Sequence, residues 1–215
     1  MQKEGLSDAA IAAFRHAYAE LVTGSSGMIR ESSINAVANL PELEEIRSSV
    51  KFDPSLLQQT VVLKLNGGLG TSMGLDKAKS LLEVKAGNTF LDFTAKQVIT
   101  MRKNFKSNVN FMLMNSFNTS KDTLTFLKKY PVLAEDPRLE LVQNKVPKIV
   151  KSDLTPAEWT VNRNLEWCPP GHGDLYTALY GSGKLDSLLK DGIKYMFVSN
   201  SDNLGATLDV GKSVF

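Results

Sequence analysis

Residues 61–79, VVLKLNGGLGTSMGLDKAK, constrain the fold more than any other stretch of the chain. An apolar, β-branched run (Val61, Val62, Leu63, Leu65) gives way at once to Gly67, Gly68, Gly70 and Gly74, and then to Lys77 and Lys79. That order suits a buried strand feeding a loop whose backbone must come close to something. Successive unhindered N–H groups can surround phosphate oxygens, and lysines just past the loop can neutralise them. On spacing alone the glycines fit an ordinary turn equally well. The run is neither G-x-G-x-x-G nor G-x-x-x-x-G-K-[ST] in register, so dinucleotide and P-loop readings are weak.

From Thr60 onward strand and helix signals alternate. Strands are expected at 61–65, 109–114, 139–143 and 193–199, with a short extended piece at 80–84 closed by a Gly87-Asn88 turn. Helices are expected from a Thr89 cap to about Phe105, over 120–129, and over 174–190 with a break near 181–183. Strands spaced by helices predict βαβ units. The fold class is therefore α/β, with a mostly parallel central sheet covered by helices on both faces. Ligands collect at the carboxyl ends of such strands, where the Gly-rich loop, Asn115, Gln143 and residues 200–202 all fall. Ahead of this unit, Ser7 caps a helix over 8–22 with Ile11, Phe14, Tyr18, Leu21 and Val22 along one face. One short helix is expected at 41–48. Residues 1–54 thus read as a helical appendage, and 55–215 as the first part of a larger domain, because the chain stops where a βα unit should continue.

With 215 residues the chain can bury a real core. Its net charge of +2 makes no case for nucleic acid or an anionic membrane as partner. A single cysteine, Cys168, excludes an intrachain disulfide and a Cys-based zinc site, and with no base beside it in sequence it reads as packing. No basic-then-apolar leader and no apolar run of about eighteen residues stand in the sequence, so a cytoplasmic setting is expected. Gly211-Lys212-Ser213 ends like a Walker motif, but Ala206 stands where its first glycine is required.

LKLNGGLGTSMGLDKAKS resembles the signature of the UTP–glucose-1-phosphate uridylyltransferases (UDP-glucose pyrophosphorylases) of the eukaryotic type, including the lysine five residues after the last glycine. FLDFTAKQ, FMLMNSFNTS, QNKVPKI, PPGHGDLYTAL and FVSNSDNLGATLD are similar to the same family, in order, over 60–209. The resemblance implies a Rossmann-like sugar-nucleotide transferase (nucleotidyltransferase) fold with a mixed, mostly parallel central sheet, and a reaction that joins UTP and glucose 1-phosphate to give UDP-glucose and pyrophosphate, with Mg²⁺. It also implies a later portion that completes the sugar pocket, in the same protein or as another subunit. A phosphate oxygen is already ionised near neutral pH, its second pKa being about 6, so no general base is needed. The chemistry calls for positioning and charge neutralisation instead.

Roles follow from the resemblance. Leu65, Asn66, Gly67 and Gly68 would hold the uridine, and Gly70, Thr71 and Ser72 would face the triphosphate. Lys79 is the expected catalytic residue, neutralising the α-phosphate, while Lys77 reads as a solvated loop charge. Gln143 would read the uracil edge, since an amide offers both a donor and an acceptor to an imide base. Gly171, His172 and Gly173 would line the nucleotide and sugar-phosphate site, Asn200 would contact the sugar phosphate, and Asp202 would take Mg²⁺ or a ribose hydroxyl. Lys148 is structural or at the phosphate margin, and His16 a surface residue. Relatives acting on other sugars, such as N-acetylglucosamine 1-phosphate, typically carry an arginine in a GGxGTRLG-like loop, and Ser72-Met73 argue against that reading. A non-catalytic UTP-binding module is the alternative of a different class.

Overall fold

The computed structural model describes residues 1–49, 53–70, 74 and 77–208. Helix α1 (Asp8–Val22) starts where Ser7 Oγ accepts the Ala10 N–H at 3.2 Å. Two short helices, α2 (Leu43–Ser49) and α3 (Ser55–Gln58), lead to strand β1 (Thr60–Asn66), in which only Leu65 escapes full burial. The expected extended piece at 80–84 differs from what forms. Residues Lys79–Leu81 make a 3-10 turn, because the Leu81 and Leu82 N–H groups bond back to the Ala78 and Lys79 carbonyls. Extended backbone begins only at β2 (Glu83–Lys85), which pairs with β3 (Asn88–Thr89) across Ala86 and Gly87, both at positive φ.

Helix α4 (Phe90–Phe105) opens with a capping box: Thr89 Oγ1 accepts the Asp92 N–H, and the Asp92 carboxylate accepts the Thr89 N–H. Strand β4 (Asn110–Asn115) is buried throughout. Helix α5 (Ser120–Leu127) follows, and Pro131 then opens the short α6 (Pro131–Ala134), where its missing N–H is not required. After β5 (Glu140–Val142) comes a second antiparallel hairpin, β6 (Val146–Pro147) with β7 (Trp167–Cys168). The helical stretch beyond breaks where the sequence places glycines. Helices α7 (Leu175–Gly181) and α8 (Lys184–Lys190) are separated by Gly183 at φ 71°, before β8 (Tyr195–Asn200).

The central sheet runs β5-β4-β1-β8. Every pairing in it is parallel, so among the described residues it is parallel rather than mixed. Helical crossovers account for this, and antiparallel pairing is confined to the two hairpins outside the sheet. Alternation along the strands serves both faces. Val62, Phe111 and Leu113 pack under α4 through Leu91, Ala95 and Val98. Val61, Leu63, Met112 and Met114 pack on the other side against Leu175, Ala178 and Leu188. Each such fully buried side chain is worth about 1.5–3 kcal/mol, so the two faces fix the sheet and the strand ends inherit its rigidity.

Helix α1 lies on α7, and Gly181 lets it approach: a Cβ there would stand 2.2 Å from Ser7 Oγ. Tyr18 Oη donates to the Leu154 carbonyl at 2.9 Å, and Lys145 pairs with Glu4 at 2.5 Å. Ala10 is buried and Ile11, Phe14 and Tyr18 are half-buried, but Leu21 and Val22 are exposed. The fifteen residues of α1 outrun the seven of α7. No helix among the described residues is long and apolar enough to cross a membrane.

Candidate functional site

The parallel register brings four strand ends side by side. Asn66 pairs with Asn115, Asn115 with Val142, and Leu65 with Asn200. Beneath them lies a polar floor. Asn66 Nδ2 donates to Asn115 Oδ1 at 2.7 Å and to Thr123 Oγ1 at 2.9 Å, while the Thr119 hydroxyl donates to the Asn66 carbonyl at 2.8 Å. Ser116 Oγ donates to the Gly67 carbonyl at 2.8 Å. All of these side chains are buried, so each bond is sheltered from water and the entry to the Gly-rich loop is held on both strands. Asn66, expected at the uridine, therefore turns its amide into the floor.

The base of the loop is pinched shut. The Lys79 N–H donates to the Gly68 carbonyl at 3.1 Å, the Gly70 N–H donates to the Lys77 carbonyl at 3.3 Å, and Leu69 bridges Ala78 between them. Gly74 takes φ 71°, and Lys77 is exposed as expected. Thr71 and Ser72, expected at the triphosphate, lie outside the described residues.

Two groups of expected site residues meet this loop from opposite sides of β1. On the β8 side, Lys79 Nζ and Asp202 Oδ2 form an ion pair at 2.6 Å. Both are partly open to solvent, with side chains 45% and 29% exposed. The segment carrying Asp202 is fixed at three points. The Ser201 N–H donates to the Leu65 carbonyl at 3.0 Å, Lys64 Nζ donates to the Ala206 carbonyl at 2.8 Å, and Gln97 Nε2 donates to the Leu204 carbonyl at 3.1 Å. Burial in β1 pushes the Lys64 ammonium down to about 8. Asn200 is exposed at the end of β8, opposite Leu65.

On the β5 side, the Gln143 N–H bonds the Asn115 carbonyl at 2.7 Å, and its Nε2 donates to the Gly171 carbonyl at 2.6 Å. The Gln143 side chain lies so close over Gly67 that a Cβ there would stand 2.6 Å from Oε1. Gly171 sits at φ 110°, a conformation that favours glycine, and His172 and Gly173 follow it, exposed, in a 3-10 turn ahead of α7. Asp174 is the residue that sequence reasoning missed here. Its carboxylate accepts the Asn144 N–H (2.7 Å), Asn144 Nδ2 (2.9 Å) and the Thr177 hydroxyl (2.5 Å). The signal that could have found it is an acid at a helix start with a hydroxyl three residues on.

Lys148 and Cys168 lie elsewhere, along an apolar groove of about 630 Å³ beneath α1. The Lys148 N–H bonds the Glu166 carbonyl, and the Cys168 thiol points to the Val146 carbonyl. Among the described residues no group of three His, Cys, Asp or Glu side chains could hold a metal. Among the described residues the carboxylate at the loop is that of Asp202. That fits Mg²⁺ only as an ion that completes its shell with phosphate oxygens and water, which is how Mg²⁺ usually binds.

The family model for UTP–glucose-1-phosphate uridylyltransferase matches residues 11–212. A UTP–glucose-1-phosphate uridylyltransferase from Saccharomyces cerevisiae is 46% identical over 168 residues, 77% of this chain and 33% of that protein. UDP-glucose phosphorylase from Trypanosoma brucei has a solved structure that superposes with a TM-score of 0.92 at 53% identity, covering 98% of this chain and 45% of that one. A point mutant of UDP-glucose pyrophosphorylase from Leishmania major, solved in complex with UDP-glucose, superposes with a TM-score of 0.92 at 52% identity, covering 98% and 44%. The chain spans about a third of the length of the curated relatives it matches.

Proposed function

The chain belongs to the UTP–glucose-1-phosphate uridylyltransferase family, and from that premise we propose that the protein it forms part of transfers uridylyl from UTP to glucose 1-phosphate. The observation that carries this reading is the convergence, around the end of β1, of a pinched Gly-rich loop, the Gln143 amide and the Lys79–Asp202 pair. An ionised oxygen of glucose 1-phosphate attacks the α-phosphorus of UTP. The bond from that phosphorus to the oxygen bridging to the β-phosphate breaks, and pyrophosphate leaves with the electron pair. UDP-glucose is the product, which the Leishmania major relative holds in its solved structure. The step is reversible because phosphoanhydride bonds are exchanged one for one.

Each residue then has a task. Gln143 faces the uracil across Gly67, with Leu65, Asn66 and Gly68 shaping the uridine pocket through their backbone. Gly70 closes the base of the loop with its N–H on the Lys77 carbonyl, Thr71 is the residue proposed to face the triphosphate, and Lys79 carries charge to the α-phosphate as it develops. Gly171, His172, Gly173 and Asn200 bound the sugar-phosphate side. Asp202 holds the ribose or a Mg²⁺ ion that would screen the phosphates. Positioning and neutralisation of this kind need no general base, and the exposed His172 is not asked to act as one. A cytoplasmic setting belongs to the same proposal.

Pyrophosphate release from UTP and glucose 1-phosphate, measured on the protein at its relatives' full length, tests the reading. Lys79→Ala is expected to lower kcat about 10²–10³-fold, the usual cost of removing one charge-stabilising donor. Full activity in that variant, or release that does not depend on glucose 1-phosphate, would refute it.

A further inference from the structure

We propose that Asp174 is a positioning residue which, through Gly171, fixes the orientation of the Gln143 amide and so makes the site select uracil over cytosine. The inference rests on the reading of Gln143 as the group that faces the base. A carbonyl can only accept, so the Gly171 oxygen at 2.6 Å takes the Nε2 end of the amide. Turned over, the amide would set two oxygens against each other at that distance. Oε1 is thereby left at the Gly67 side, where it takes no hydrogen bond among the described residues.

An amide held this way offers one acceptor and its second N–H. A uracil edge, a ring N–H flanked by carbonyl oxygens, complements that pair. Cytosine shows a ring acceptor where uracil shows the N–H, so it would meet acceptor with acceptor. Only a flipped amide would suit it, and the flip forfeits the bond to Gly171.

The lock holds only as well as Gly171 is placed. Asp174 serves both ends of the Gln143–Gly171 bond: its backbone N–H donates to the Gly171 carbonyl at 3.2 Å, and its carboxylate holds the residue beside Gln143. Asp174, three residues after Gly171, takes the backbone N–H and Nδ2 of Asn144, the residue next to Gln143, and anchors to α7 through Thr177. Hydrogen bonds to an ionised carboxylate are roughly twice as strong as neutral ones, which suits a part that must not slip.

Calorimetric Kd values for UTP and CTP, each with Mg²⁺, on the full chain test this. Wild type is expected to prefer UTP by about tenfold or more, the usual range when a buried polar group is left unpaired. In Asp174→Asn the preference is expected to collapse to about threefold or less while the protein still melts cooperatively. Equal weakening of both nucleotides, with the ratio unchanged, would make Asp174 merely structural and overturn the proposal. If Gln143→Ala leaves the ratio intact, the underlying assignment of Gln143 falls instead. Should Asp174→Asn fail to fold, Asn144→Ala removes one of the three bonds, and a partial drop in the ratio is expected. An undiminished ratio there would count against the lock in the same way.

Discussion

Gly67 is the residue on which the two sides of the site are fitted together. Its missing side chain is occupied by the Gln143 amide, and an added Cβ would lie 2.6 Å from Oε1. Gly67→Ala is therefore expected to push Gln143 off the Gly171 carbonyl and weaken UTP binding about tenfold or more, read by calorimetry, while the melting temperature moves by only a few degrees. Unchanged affinity would mean that Gln143 does not contact the nucleotide. The glycine run and Gln143 were legible in sequence, since their spacing follows the strand ends. Their partners were not. Lys79 and Asp202 stand 123 positions apart, and nothing local announces an ion pair over that distance. Asp174 was passed over because an acid at a helix start has an ordinary capping explanation.

At the scale of elements, local signals placed α4 well. Thr89 and Asp92 form the capping box, and Asp92 does more than cap. Lys129 at 2.5 Å and the Tyr130 hydroxyl at 2.6 Å both reach its carboxylate and tie the start of α4 to the α5–α6 link. Burial pushes that carboxyl up, but the bonds from Lys129, Tyr130 and Thr89 outweigh it and hold it well below the usual carboxylate range. Burial and the bond to Asp92 in turn push the Tyr130 phenol up to about 12.

A depressed folded-state value means the contribution is present above the unfolded pKa of about 3.9 and is lost as pH falls below it. Asp92→Ala is expected to cost about 2 kcal/mol at pH 7, from the lost cap and unpaired neighbours. The gap between wild type and variant in urea midpoint should narrow steadily below about pH 4. A gap that stays constant to pH 2.5 would show the carboxylate to be unperturbed. The 3-10 turn at Lys79–Leu81 escaped sequence reasoning because it is imposed by the loop closing on Gly68, a tertiary demand rather than a local propensity.

For the molecule as a whole, the alternation of strands and helices foretold the layered α/β fold, and the parallel order β5-β4-β1-β8 explains why the expected site residues gather at one edge. What the alternation could not give was which strand lies at the centre. β1 does, flanked by β4 and β8, so the Gly-rich loop receives Gln143 from one side and Asp202 from the other. The same centrality buries Lys64, whose ammonium then reaches across to the segment behind Asp202.

The central claim is that this edge is a uridine nucleotide site. Thermal melting of the 215-residue chain with and without UTP and Mg²⁺ tests it most directly. At about a hundred times Kd, a ligand that binds only the folded state adds about 2.7 kcal/mol, which raises Tm by several degrees in a chain of this size. The account predicts that rise in wild type and its loss in both Lys79→Ala and Gln143→Ala. A cooperative melt that UTP leaves unmoved, or a rise that survives both substitutions, would contradict it.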